Sequence, residues 1–378
     1  MVHGSWLKVH GEGYNIIGFY MEQALSDMLG QPIYSLNGDE YTLLKNSATH
    51  FPDGIASKLW GKVMLRAVVE AEHQEGRAKA LELTGLCYDE LDRVFPQMFD
   101  EKAELLKNAC IFSLKENDQE TAHRKMESYL YNALAQVHYH AVNEKMPYYS
   151  FRSFSEYSLK DIEQETISVA HPREFNDPLD TILVYWLNEA IKNTTDEWKL
   201  RYRLLMKKVA EHIKIRCLIA GKKDDGNDIP VEDLNVLMWS HYADSHKGFC
   251  VRYEFDGGLF APTAHPKKDK LLFVDKITYS ESIDIGDEPS IRMALLEKSN
   301  FWEYEKEMRL VSFDCSGKDE DFPTIECKGM AKAIYLGVKC TDANRRLMEK
   351  AIGDKNIPLY QMSVDENKLT RFKKTLIG

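Results

Sequence analysis

The spacing of apolar and polar positions divides the chain into a helical first part and a second part that mixes strands with helices. Between about residues 14 and 145 the period is helical. Ile55, Leu59, Val63 and Ala67, beside Trp60 and Met64, form a broad apolar stripe that predicts one buried face. Asn117 and Glu120 have the spacing of a capping box, so a helix is expected to begin there. Met126, Leu130, Leu134, Val137 and Ala141 continue it. His138 and His140 fall near its end, where a cation meets the negative pole of the helix dipole. The tandem helices predict a bundle or a few helical hairpins, without the fixed period of a repeat protein.

The period changes at Met146-Pro147. Tyr148, Ser150, Arg152 and Phe154 alternate with Tyr149, Phe151 and Ser153, which predicts a strand with Arg152 on the face of Ser150. Thr166 to Ala170 predicts a second strand. In HPREFNDPLD, Asp177 is placed to cap a helix, with Pro178 at its first position and Asp180 in its first turn. Residues 181–212 read as helix, and Ile213, Ile215 and Cys217 as the inward positions of a strand. The polar segment GKKDDGNDIP is a loop and a candidate lid.

Residues 235–256 then predict a short helix carrying Trp239, Tyr242 and Ala243 on one side. Gly248 is expected to end it in a left-handed conformation, and Phe249, Val251, Tyr253 and Phe255 to line one face of the strand that follows. After a turn marked by Pro262, His265 and Pro266, LLFVDKITY predicts one or two strands with a bend. A helix with Met293, Leu296 and Phe301 on its apolar side leads to a strand holding Met308, Leu310 and Ser312. Glu305 and Glu307 share one face at its start. AIYLG at 333–337 is a strand, 342–352 a helix, and PLYQMSV the last strand. The expected fold class is therefore α+β: a mixed, mostly antiparallel sheet flanked by helices over residues 146–378, preceded by an all-α domain over residues 1–145.

Composition narrows the partners. A chain of 378 residues, 44% of them hydrophobic, exceeds the usual size of one domain and predicts two. A formal net charge of -11 argues against general binding to nucleic acid or anionic membrane, and makes protein the better partner for the helical domain. The cysteines, Cys87, Cys110, Cys217, Cys250, Cys315, Cys327 and Cys340, are odd in number and include no CxxC pair, as suits reduced thiols in the cytoplasm. MVHGSWLKVHGEGYN lacks the basic-then-apolar order of a leader, and no apolar run approaches the roughly 20 residues of a membrane span. A soluble cytoplasmic protein is expected.

Four segments carry a resemblance: FRSF with HPREFNDPLD, then LMWSHYADSHKGFCVRYEF, then KSNFWEYEKEMRL, then AIYLGVKC. Together they resemble a bacterial family of domains of unknown function over roughly residues 148–370. The segment in which Trp239, His241, Tyr242, His246, Gly248 and Phe249 stand together is the most specific. The resemblance implies one compact domain, often joined to other modules.

The order of Arg152, then Ser240 and Tyr242, then Glu305-Lys306-Glu307 is also similar to the arginine, serine or tyrosine, and Glu-x-Glu arrangement of ADP-ribosyltransferases. That similarity implies NAD as substrate, with ADP-ribosyl transfer or NAD hydrolysis passing through an oxocarbenium-like sugar, in a defence or toxin setting. It implies that Glu307 holds the ribose and stabilises positive charge, Glu305 orients the acceptor, Arg152 binds phosphate or ribose, Tyr242 stacks on nicotinamide, and Ser240 adds a hydrogen bond. No Ser-Thr-Ser strand accompanies these residues.

Other readings stand beside it. His241 and His246 belong either to the same ligand site or to a polar network that fixes the helix-to-strand turn. Taken alone, Glu305 and Glu307 read as a solvated charged face around Lys306 and Arg309. The domain could bind a ligand or protein without catalysis. It could also be a metal-dependent phosphodiesterase or nuclease in which Asp177, Asp180, Glu305, Glu307 and His171 hold magnesium or manganese. The NAD reading expects no metal, and His241, His246 and Cys250 match no usual zinc spacing. What separates these readings is whether Arg152, Tyr242 and Glu307 meet in one pocket.

Overall fold

A computed structural model describes the chain from Lys62 onward, apart from 142–145, 261–269, 284–287, 317–322, 367–370 and scattered single positions. The expectations for Ile55, Leu59, Trp60, Val63 and Ala67, for Pro178, and for Pro262, His265 and Pro266 lie outside the described residues. Two compact units emerge. One takes in the N-terminal helices to His140 together with Leu187–Ala210, and the other Ala141–Trp186 with Glu211–Gly378. Residues 187–210 thus group with the helices and not with the sheet that surrounds them in sequence.

In the helical unit, α1 (Arg77–Val94), α2 (Phe99–Lys115) and α3 (Gln119–His140) pack in succession. Leu83, Cys87 and Leu91 of α1, Leu105, Ala109 and Phe112 of α2, and Met126, Leu130 and Leu134 of α3 are buried, which is the three-to-four spacing of one apolar face on each helix. The start of α3 is shifted by one residue from the expected box. Asn117 adopts a left-handed φ of 62° and Asp118 is the cap, its carboxylate accepting from the Thr121 amide at 3.0 Å.

The predicted single helix over 181–212 is two, α5 (Ile182–Lys192) and α6 (Glu197–Ala210). The apolar period continues through the break, but Asp196 offers its side chain to the Trp198 amide at 3.3 Å and starts a new helix there.

The second unit is built on one eight-stranded sheet. Its strands, with short companions, are β1 (Pro147–Arg152), β2 (Thr166–Ser168), β3 (Ile213–Ala220), β4 (Phe249–Glu254), β5 (Lys270–Lys276), β6 (Thr278–Ser280), β7 (Glu297–Ser299), β8 (Glu307–Asp314), β9 (Thr324–Glu326), β10 (Ala331–Leu336), β11 (Leu359–Val364) and β12 (Phe372–Leu376). The order across the main sheet is β12-β11-β10-β4-β1-β3-β8-β5, antiparallel except for β10 with β11. It is the mixed, mostly antiparallel sheet that the period-two segments predict, with β12 added beyond the expected last strand. Strand β1 lies fourth from the β5 edge and all six of its residues are buried, so both of its faces are covered.

The two faces have separate cores. On one, Tyr148, Phe249, Val251, Tyr253 and Leu310 meet Ile162 of α4 (Glu156–Gln164) and Met348 and Ile352 of α9 (Asp342–Ile352). The other holds Tyr149, Phe151, Cys250 and Tyr335 against Met238 and Trp239 of α7 (Val236–Tyr242). The remaining helix, α8 (Ile291–Leu296), buries Ile291, Ala294, Leu295 and Leu296. Phe301 does not share its apolar side. It sits on a separate 3-10 turn at 300–305 and is 85% exposed, because the chain forms β7 in between.

The turn after α7 also differs from expectation. Asp244, Ser245 and His246, not Gly248, take the left-handed conformation, with φ of 45°, 52° and 72°. Gly248 is required for a different reason: a Cβ there would run into the Arg152 carbonyl oxygen and stand 2.9 Å from the Ala243 carbonyl. Three successive L-residues at positive φ each cost about 1–2 kcal/mol. The surrounding hydrogen bonds, His246 N to Trp239 O at 3.0 Å, Gly248 N to Ala243 O at 2.8 Å and Lys339 N to His246 O at 2.9 Å, hold them there.

Candidate functional site

Helix α7 starts at Asn235, whose side chain accepts from the Leu237 amide at 2.9 Å, and Trp239 anchors it edge-on to Phe151 with ring centres 4.9 Å apart. That anchoring fixes Tyr242, three residues on from Trp239, against the same core. Its hydroxyl donates to Glu305 Oε1 at 2.6 Å. Glu305 ends the 300–305 turn, Lys306 reverses the chain at φ 47°, and Glu307 opens β8.

Both glutamates are buried, 3% and 4% exposed, so they are not the solvated face that their neighbours in sequence suggest. Lys298 of β7 explains how. Its ammonium lies 2.8 Å from Glu305, 2.9 Å from Glu307 and 3.3 Å from Asp180, which uses all three of its donors. Trp302 caps it, with the ring centre 4.9 Å away. Arg309, fully buried, donates to Glu307 at 2.8 Å, to the Leu295 carbonyl at 2.6 Å and to Asp180. The Phe175 ring lies 5.5 Å from its guanidinium carbon. Three carboxylates and two cations leave this cluster one negative charge in excess.

Glu307 and Lys298 keep their charges at neutral pH. Burial alone would push the Glu307 carboxyl up, but the Arg309 guanidinium and the Lys298 ammonium outweigh it and hold the group at about 2. Burial likewise opposes the charge on Lys298, and Glu307 and Asp180 more than restore it. Burial and the bond to Glu305 raise the Tyr242 phenol, which keeps it a donor.

Asp180 is a correction. It does not lie in a first helical turn but just before α5, where it accepts from the Thr181 amide at 2.6 Å. Thr181 has a φ of 51°, unusual for a β-branched residue, and its buried hydroxyl has no partner among the described residues. Cys217, across the strand from Arg309, is open to solvent. Even so, burial by the protein around it, then the charge of Glu307, raises its thiol well above the ordinary value. Solvent therefore reaches the sheet face at Cys217, across from Arg309.

The residues singled out from sequence separate into three groups. Tyr242, Glu305 and Glu307 come together. Ser240 and His246 pair with each other, Oγ to Nε2 at 3.0 Å, and burial and the Lys339 charge lower the imidazole, while His241 is exposed with its ring 6.1 Å from that of Tyr242. Arg152 joins neither. On β1, Tyr149 and Phe151 face Trp239, so Arg152 points through the opposite face, and on β8 Glu307 and Arg309 alternate with Met308 and Leu310 of that opposite core. Arg152 binds Asp161 at 2.5 Å and Ser168 at 3.2 Å.

The acids proposed for a metal do converge in part, as Asp180, Glu305 and Glu307. The Lys298 ammonium stands at their centre, however, and His171 is instead engaged by the Arg173 amide and Glu211. Lys298, Arg309, Thr181 and Cys217 were missed. For Arg309 a signal exists: it interrupts the apolar run of β8, where a charge in a strand covered on both faces must be paired.

Fold and cluster together define an α+β domain whose sheet carries a buried, ion-paired, net-acidic group beside a solvent-exposed cysteine. Residues 238–310 match a family described as protein of unknown function, DUF2971. The match runs from α7 to β8 and so includes the left-handed turn, Lys298, both glutamates and Arg309. It is narrower than the 148–370 over which the motifs resemble such a family. No curated protein and no solved structure matches the chain. Among the described residues no helix is long and apolar enough to cross a membrane.

Proposed function

We propose that the sheet domain binds NAD beside Tyr242 and Glu305 and breaks its nicotinamide bond, passing ADP-ribose to an acceptor or to water. The observation that carries this reading is the convergence of Tyr242, Glu305 and Glu307 in a cluster with an excess negative charge. Loss of nicotinamide leaves positive charge on the ribose, and a fixed, ionised carboxylate pair stabilises that charge as it develops. Glu305 lies nearest the phenol and faces the sugar, Glu307 supplies the field, and Tyr242 orients Glu305 and stacks on the ring. Arg152 has no part, since it serves the other face. In a defence or toxin setting, the helical unit engages a protein partner, a choice supported by the net charge of -11.

The test is incubation with NAD while free nicotinamide is followed. Wild type releases it, and Glu305→Gln slows release at least about 10-fold. Equal, background-level release by both proteins refutes the proposal. A second reading, a ligand-binding module without catalysis, is favoured by one feature: Asp180, Glu305 and Glu307 already have both oxygens engaged. Calorimetric binding of NAD without nicotinamide release would select it.

A further inference from the structure

On the other side of the sheet, Arg216 of β3 donates from Nε and one terminal nitrogen to Ser150 Oγ, at 3.2 and 2.7 Å, and makes no ion pair among the described residues. Arg152 is the next charge. The ladder between β1 and β3 pairs Tyr148 with Ala220 and Tyr149 with Ile219, and its continuation would set Arg152 across from Arg216. Like charges opposite one another on a sheet repel. Among the described residues the acid bonded here is Asp161, and it is already taken by Arg152, by the Thr166 hydroxyl at 2.9 Å, by the Ser168 amide at 2.9 Å and by the Ser168 hydroxyl. Among the described residues two guanidiniums thus share one bonded carboxylate, and Arg216 is left without an ion pair.

A second observation is independent of charge. Tyr253, paired with Tyr148 across the strands and 1% exposed, has a buried hydroxyl with no hydrogen-bond partner among the described residues, and Arg152, Arg216 and Asp161 are the charges around it. A buried hydroxyl without a partner is unfavourable and calls for an occupant. Arg216 is only partly buried by surface exposure. The protein around it, together with the Arg152 charge, draws its pKa down to about 10.

We infer that this face carries an oxyanion site in which Arg216 and Arg152, with the hydroxyls of Ser150 and Tyr253, hold a phosphate group. Guanidinium forks match phosphate geometry, and an anion of one or two charges pairs with Arg216 and gives the Tyr253 hydroxyl an acceptor. The site lies across the sheet from Tyr242 and Glu305, and stands whether or not the domain cleaves NAD.

The test is thermal melting of the full chain in inorganic phosphate, or in ribose 5-phosphate, against chloride at matched ionic strength. At about 10 mM phosphate the wild-type midpoint should rise by about 2 °C or more over chloride. Tyr253→Phe should melt slightly higher than wild type in chloride and lose at least half of the phosphate response, and Arg216→Gln should lose it entirely. A response to either phosphate compound supports the site, and the larger of the two tells free phosphate from a phosphomonoester. Wild type melting alike in all three solutions overturns it, as does a Tyr253→Phe response equal to that of wild type. Tyr253→Phe removes one oxygen and decides the matter even if Arg216→Gln fails to fold.

Discussion

Replacing Lys298 by methionine would keep the shape of the side chain and remove the ammonium that three carboxylates share. At about 3 Å and an effective dielectric near 20, each such contact is worth about 5 kcal/mol before desolvation is subtracted. Desolvation removes most of that, and breaking one partner out of a buried group costs about 3–5 kcal/mol net. Glu307 gives a second route to the number. Held at about 2 instead of its usual 4.5 by Arg309 and Lys298 against the effect of burial, its ionised form is net stabilised by about 3 kcal/mol, to which both cations contribute. Lys298→Met should therefore lower the melting midpoint at pH 7 by roughly 6–20 °C for a unit of this size. Adding Glu305→Gln, which removes one of the stranded charges, should recover part of the loss. A Lys298→Met protein less stable by under about 1 kcal/mol would show that solvent screens these ions and would refute the description of a closed cluster.

Two more outcomes follow from the same geometry. Because the Glu307 carboxyl titrates lower in the fold than in the unfolded chain, its contribution is present above pH 4.5 and is lost as pH falls towards 2. The melting midpoint should hold from pH 7 to 5 and drop below 4.5, and Glu307→Gln, less stable at pH 7, should show a shallower drop. Gly248→Ala would force a Cβ into the Arg152 carbonyl and should cost at least about 2 kcal/mol in thermal melting, whereas Gly85→Ala, with open space around it in α1, should gain about 0.5–1 kcal/mol. Equal effects at the two positions would refute the close approach.

By itself the sequence determined the period of each element and therefore the fold class. The repeat of two in Phe249, Val251 and Tyr253 and the three-to-four spacing of Met126, Leu130 and Leu134 are local properties, and the sheet and helices that they predict are present. The resemblance of their order along the chain to that of ADP-ribosyltransferases also singled out Tyr242, Glu305 and Glu307, although the two glutamates taken alone read as a solvated face.

Tertiary structure alone decided what those residues meet. Which side of a sheet a strand shows to which helix depends on strand order, and strand order sets Arg152 and Glu307 back to back although both fit one motif read along the chain. Asp180 and Lys298 are more than a hundred residues apart and carry no mutual signal. They are joined because β8 lies inside the sheet, where Arg309 cannot be solvated and must be neutralised by acids brought from elsewhere. Burial and pairing are properties of the assembled core, and local spacing does not encode them.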